Sequence, residues 1–191
     1  MEFINAFITK IYPLSEASLE KFRAIFIEKK MKKATVFVKA GEVPSKFYIL
    51  KSGIVRSFIT NEKGKNHIRT LFTPIKTTGS LTALIKNEPS KFSYDCLTDC
   101  TVLEGSFNDF IKLTELHHDI SLFYNKVLEN VYLTVVGRIR ELASLNATER
   151  YIKLNKEIPN INNLIAQYHI AAYLNITPVQ LSRIRKELYS K

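Results

Sequence analysis

A chain of 191 residues that is 46% hydrophobic and 24% charged is long enough for one or two packed domains and too apolar to be disordered. Its 28 lysines and arginines against 18 acids leave a net charge of +10, which suits a polyanionic partner without separating DNA from RNA or an anionic surface. No apolar run reaches the length of a membrane span, and the start MEFINAFITK lacks the basic segment of a secretion signal, so no membrane contact and a cytoplasmic location are expected.

Ser15, with Leu19, Phe22, Ile25 and Phe26 at three- and four-residue intervals, predicts a capped amphipathic helix over 15–28. Lys29, Lys30, Lys32 and Lys33 follow, and read as a solvated charge run, with an auxiliary phosphate contact as the second reading. From about 34 to 105 the runs TVFVKAGE, KFYILKSGIVRSFIT and HIRTLFTP are short, rich in β-branched and aromatic residues, and punctuated by Gly41, Gly53, Gly64 and Pro74. Asn61 to Gly64 make a hairpin connection, and 92–97 and 101–104 continue the series. Six or more antiparallel strands in about seventy residues predict a small jelly-roll or barrel sandwich.

Ser106 caps a predicted helix over 106–116, and a much longer helix is predicted over 119–145. In the long helix Leu128, Val131, Val135, Ile139, Leu142 and Leu145 recur as one apolar stripe, more surface than one small sandwich covers. Pairing with the same helix of a second subunit would cover it, with Leu128, Val131, Val135 and Leu142 at the dimer contact. Residues 137–191 hold nine basic residues against four acids, more than twice the net charge per residue of what precedes them.

The last segment, QYHIAAYLNITPVQLSRIRKELYSK, has the spacing of a helix-turn-helix that reads double-stranded DNA. Counting from Gln167, the apolar Ile170, Leu174, Ile176, Leu181 and Ile184 fall where two crossed helices bury side chains against each other, and Ala171 is small enough for their crossing. Asn175 sits at the turn position that favours positive φ. Thr177 and Pro178 open the second helix as cap and first residue. Val179, Gln180, Ser182, Arg183 and Lys186 then occupy the faces left free by Leu181 and Ile184. Arg can bond both acceptors of guanine, Gln can pair with adenine and Val can meet a thymine methyl, so Arg183 is the first choice for base reading. An ordinary amphipathic helix with solvated charges is the bland alternative.

Rival chemistries find little support. A metal-dependent roll needs two or three convergent histidines, and the roll holds one, His67. His117 and His118 are neighbours on a helix, pointing about 100° apart, and cannot share one axial haem site. NEKGKN lacks the first Gly and the Ser or Thr of a phosphate loop, and no Gly-x-Ser-x-Gly elbow occurs. Cys96 and Cys100 form neither a CxxC pair nor a four-thiol set, which leaves buried thiols as the leading reading and a redox pair behind it. No metal, cofactor or catalytic centre is expected, and the chain does not read as an enzyme.

The order of helix, Gly-punctuated β-roll, long helix and helix-turn-helix resembles the Crp-Fnr family of transcription regulators. FVKAGEVPSKFYILKSGIVR is similar to that family's second to fourth strands, and ATERYIKL with YHIAAYLNITPVQLSRIRKEL is similar to its shorter members. The resemblance implies an α+β chain of three parts: a β-roll sensor domain with flanking helices over 1–118, a long dimerisation helix over 119–145 and a helix-turn-helix DNA-binding domain over 146–191. It implies a homodimer on a pseudo-palindromic operator, with recognition helices about 34 Å apart, and RNA polymerase as a candidate further partner.

Two departures qualify the resemblance. Where cyclic-nucleotide-binding members carry Gly-Glu-Leu and a phosphate-gripping Arg-Ser, this chain has Gly79, Ser80 and Leu81, and later Ser90, Lys91, Phe92 and Ser93. The ribose carboxylate and the phosphate arginine are missing, and Lys91 cannot replace the bidentate contact, so a cyclic nucleotide is not the expected ligand of that candidate pocket and any small-molecule effector is unidentified. The sequence also stops at Lys191, soon after the recognition helix, where many members add a β-hairpin wing. Phosphate contacts are therefore expected from Gln167, Tyr168 and His169 at the start of the first helix, with Arg185 and Lys191. The alternative from another class is a ligand-binding module that regulates a protein partner.

Overall fold

The computed structural model describes residues 2–189, with side chains described for 3–188. In chain order the elements are α1 (Glu2–Ile11), α2 (Glu16–Ala24), β1 (Phe26–Met31), β2 (Val36–Val38), β3 (Lys46–Ser52), β4 (Val55–Thr60), β5 (Asn66–Phe72), β6 (Lys76–Thr78), α3 (Leu81–Lys86), β7 (Ser93–Cys96), β8 (Cys100–Ser106), α4 (Phe107–Leu116), α5 (His118–Ser144), α6 (Ala147–Glu157), α7 (Ile161–Leu164), α8 (Gln167–Leu174) and α9 (Pro178–Tyr189). The strands form two four-stranded antiparallel sheets, ordered β1-β8-β3-β6 and β2-β7-β4-β5. This is the expected roll of an α+β chain.

Strand alternation sorts the side chains into three cores. Tyr48 and Leu50 of β3, Val55 of β4, Tyr94 of β7 and Val102 of β8 fill the space between the sheets. Ile49, between two inward neighbours, points the other way, where α1, α2, α4 and α5 cover the first sheet. There Phe22 meets Phe26, Phe110 and Phe123 edge to face, with centroids 5.1, 5.8 and 5.3 Å apart. The outer face of the second sheet offers Ile54, Ile68, Leu71 and Leu97, and these share one core with Tyr151, Leu154, Ile161, Ile165 and Ile170 of the C-terminal helices. Each such side chain contributes about 1.5–3 kcal/mol on burial. The C-terminal helices are thus packed on the roll.

Two elements differ from the sequence expectation. The helix expected over 15–28 ends at Ala24, because Phe26 opens β1 and pairs with Gly105. The lysine run is partly that strand, with Lys29 bonded to Glu104 and, just beyond it, Lys32 to Asp99. Exposed pairs of this kind stabilise by about 0–1 kcal/mol, so the run remains largely a solvated face. The helix α1 was not expected. Both cysteines are buried and unpaired, Cys96 closing β7 and Cys100 opening β8.

Gly53 makes the turn from β3 to β4 at φ +92°, and a Cβ there would stand 2.5 Å from Asp99 O and from Cys100 Sγ. Ser57 and Thr78 lie opposite Tyr94 and Tyr48, so their hydroxyls enter the roll interior, where neither has a hydrogen-bond partner among the described residues. Replacing such a hydroxyl with a methyl removes a desolvation cost. Thr78→Val should therefore raise the free energy of urea unfolding by about 1 kcal/mol; a lower value would mean that the hydroxyl is satisfied in solution.

Candidate nucleic-acid interface

The two helices of the C-terminal motif are set by local chemistry. Asn175 ends α8 at φ 57° and ψ 43°, the left-handed conformation that Asn tolerates, and its N–H reaches the carbonyls of Ala171 and Ala172. Ile176 N follows with a bond to Ala171 O at 3.0 Å. Thr177 then caps α9: its Oγ1 accepts from Gln180 N at 3.2 Å, while Gln180 Oε1 accepts from Thr177 N at 2.9 Å. This reciprocal pair is a capping box. It engages the amide oxygen of Gln180 at the helix start, while the side chain stays exposed.

Ile170, Ala171 and Leu174 of α8 and Leu181 and Ile184 of α9 are buried at the crossing. On the opposite side of α9, Val179, Ser182, Arg183 and Lys186 are exposed, Val179 by 62%. Thr177, Pro178 and Gln180 are exposed at the same end, and Arg185 is half-buried. The start of α6 lies alongside, closed by a capping box between Asn146 and Glu149. Asn146, Ala147 and Thr148 with Gln180, Arg183 and Ile184 line an open groove of about 410 Å³. Lys191 lies outside the described residues.

The motif is tied to the long helix by buried polar contacts. Glu141 of α5 accepts from Arg138 and, at 3.0 Å, from Lys153 of α6, whose pKa this hydrogen bond raises. Arg138 also donates to Tyr173 O and lies over the Tyr173 ring, 4.0 Å from its centroid. Leu128 and Val131 are half-buried, whereas Val135, Ile139 and Leu142 are exposed.

At the start of α8 the structure corrects one expected phosphate contact. Gln167 and Tyr168 are exposed, but His169 is buried against β4 and β7. Its Nδ1 stands 3.2 Å from Arg56 Nη1. Arg56 in turn donates from Nε and Nη2 to the two carboxylate oxygens of Asp95, at 2.7 and 2.8 Å. A guanidinium can only donate, so Nδ1 accepts and the neutral ring carries its proton on Nε2. Burial, and next the Arg56 charge, push the pKa of His169 down to about 4. A neutral imidazole turned into the roll cannot serve as a cationic phosphate contact. Nothing local to YHIAAYL signals this docking; the charged Arg56 inside the apolar run GIVRSF was the available hint.

The candidate effector pocket is closed on itself. Ser80 Oγ and Ser90 Oγ are buried and 2.8 Å apart, and Ser90 Oγ is 2.7 Å from Phe92 O. Ser93 Oγ accepts from Ala40 N, Gly79 and Leu81 are half-buried beside α3, and Lys91 is exposed. Arg69 donates to Tyr94 OH at 2.8 Å and lies 4.2 Å over the half-buried Phe92 ring. Among the described residues no group of three His, Cys, Asp or Glu could hold a metal, and no helix is long and apolar enough to cross a membrane.

Residues 28–117 match the family described as the cyclic nucleotide-binding domain. The chain is similar in structure to CLP, the c-di-GMP responsive global regulator of Xanthomonas campestris, with a TM-score of 0.72 and 16% identity over 92% of each chain. FixK2 of Bradyrhizobium japonicum gives 0.68 and 16% over 87% of this chain and 85% of that one. The catabolite activator protein of Thermus thermophilus gives 0.53 and 17% over 94% and 86%. No curated protein matches the chain. At these identities the likeness establishes the fold, a cyclic nucleotide-binding roll, a long helix and C-terminal helices arranged as in Crp-Fnr regulators.

Proposed function

We propose that this chain, built on the Crp-Fnr fold, is a homodimeric, sequence-specific DNA-binding transcription regulator. The observation that carries the reading is α9, which buries Leu181 and Ile184 and leaves Val179, Ser182, Arg183 and Lys186 to solvent on a rigidly capped helix. A major groove admits one such helix, and these side chains suit its base edges and flanking phosphates. The groove beside the start of α6 supports a seat for the adjoining phosphate strand. Gln167, Tyr168 and the half-buried Arg185 are the remaining candidates for backbone contacts. RNA polymerase stays part of the proposal as a partner reached once the dimer is on its operator.

The long helices would join two copies through the exposed stripe and set the distance between recognition helices. Cyclic AMP is not the proposed effector: the positions that would grip it are Ser80 and Ser90, bonded to each other, and Lys91 is exposed. Any other effector can act only through unequal affinity for two arrangements of the dimer.

Arg183→Ala tests the reading directly. It should cost about 1–3 kcal/mol on the selected operator and much less on random duplex, measured by titration at one salt concentration. Equal losses on both would make Arg183 a phosphate contact. A regulator of a protein partner would instead show little salt dependence, because no counterions are released from a duplex.

A further inference from the structure

We infer that Arg56, Asp95 and His169 form an interdomain clamp that fixes the angle of the helix-turn-helix on the roll, and so the half-site spacing the dimer accepts. The second clause rests on the DNA-binding reading above. All three residues are about nine-tenths buried, each at 7% exposure. They come from β4, β7 and α8, separated by 39 and 113 residues in sequence. The rest of this contact is apolar, with Ile54, Ile68, Leu71 and Leu97 against Ile165 and Ile170. Apolar surfaces are non-directional and tolerate a small rotation or slide. A guanidinium does not tolerate it, because its donors leave in fixed directions.

Arg56 cannot turn to follow a moving helix. Two of its nitrogens are held by Asp95, and the plane is stacked on Phe58 at 4.0 Å from the ring centroid. Nη1 is the donor left for α8, and His169 Nδ1 meets it at 3.2 Å. Rotation of α8 would leave both a buried donor and a buried acceptor unmade, a larger cost than the hydrogen bond itself. A single polar contact in an apolar seam is a known way to select one register. Because α8 and α9 cross as one packed unit, the register of α8 is the orientation of the recognition helix. Asp95 and Arg56 touch no DNA in this account; they are positioning residues acting through His169.

The test uses the full-length protein, with His169→Leu, which keeps the bulk without an acceptor, and His169→Gln, which restores one. Each is titrated with the selected operator and with versions carrying one base pair more or one fewer between half-sites. Wild type should discriminate among the spacings. His169→Leu should lose about tenfold on the native spacing and little on the others, narrowing that discrimination, and His169→Gln should restore most of it. Equal losses at every spacing, or an unchanged preference, would overturn the inference. Amide exchange of residues 167–174 without DNA gives an independent readout. Exchange there should quicken in His169→Leu and stay slow in His169→Gln; unchanged exchange would remove the clamp whatever the DNA result. Wild type that binds no duplex would overturn the DNA reading and with it the spacing role, leaving the clamp itself to the exchange result.

Discussion

The double substitution Val135→Glu and Ile139→Glu should convert the proposed dimer to a monomer and lower operator affinity by about 100-fold or more. The helix α5 has 27 residues and therefore extends about 40 Å. Its first part packs on the roll through Ile120 and Phe123, but Val135, Ile139 and Leu142 are 52%, 62% and 45% exposed, and Tyr132 and Leu133 more so. So much apolar surface on one helix is unusual in a lone subunit and supports the proposed contact with a second copy. Four carboxylates across a two-fold seam would be unpaired and poorly hydrated, which outweighs the remaining apolar contact. A dimer gains its second half-site at a high effective concentration, and a monomer forfeits that gain. Sedimentation equilibrium with a duplex titration checks both parts. A dimer that survives the substitutions, or a monomer that binds as tightly, would remove α5 from the interface.

The second large effect falls on stability. Asp95→Ala leaves the Arg56 guanidinium buried with one neutral neighbour, and breaking a buried pair in this way costs about 3–5 kcal/mol. For a chain of this length that is roughly a 10 °C drop in Tm. The double variant Arg56→Met and Asp95→Leu should be milder, since it removes both charges of the pair and keeps most of the volume. Glu129→Ala provides the contrast: its pair with Lys126 is exposed on both sides and should change stability by about 0–1 kcal/mol. Thermal unfolding of the three variants checks the order. An Asp95→Ala loss no larger than that of Glu129→Ala would show that water reaches Arg56 in solution.

What the sequence revealed depended on how local its causes were. The caps at Ser15, Ser106 and Thr177, the turn at Asn175 and the alternation of KFYILKSGIVRSFIT all act within a few residues, and each appears in the structure. The strand β1 is different. Its middle residues, Ile27 to Lys30, are exposed, so no alternation marks it, and its pairing partner β8 comes more than seventy residues later. The three-residue β6 is too short to carry a pattern. For the candidate interface, α9 was legible from its own spacing, whereas His169 was misread because its environment comes from β4 and β7. Gln180 shows a conflict between two local signals. Thr177 and Gln180 are spaced as a capping box, and the helix start claims the amide that base reading would also use.

Selection from random duplexes at near-physiological salt shows directly whether the proposed dimer reads duplex DNA. Enrichment of a two-fold-symmetric motif whose half-sites lie about one helical turn apart is the expected result. Retention of duplexes without any enriched motif, or no retention at all, would contradict it.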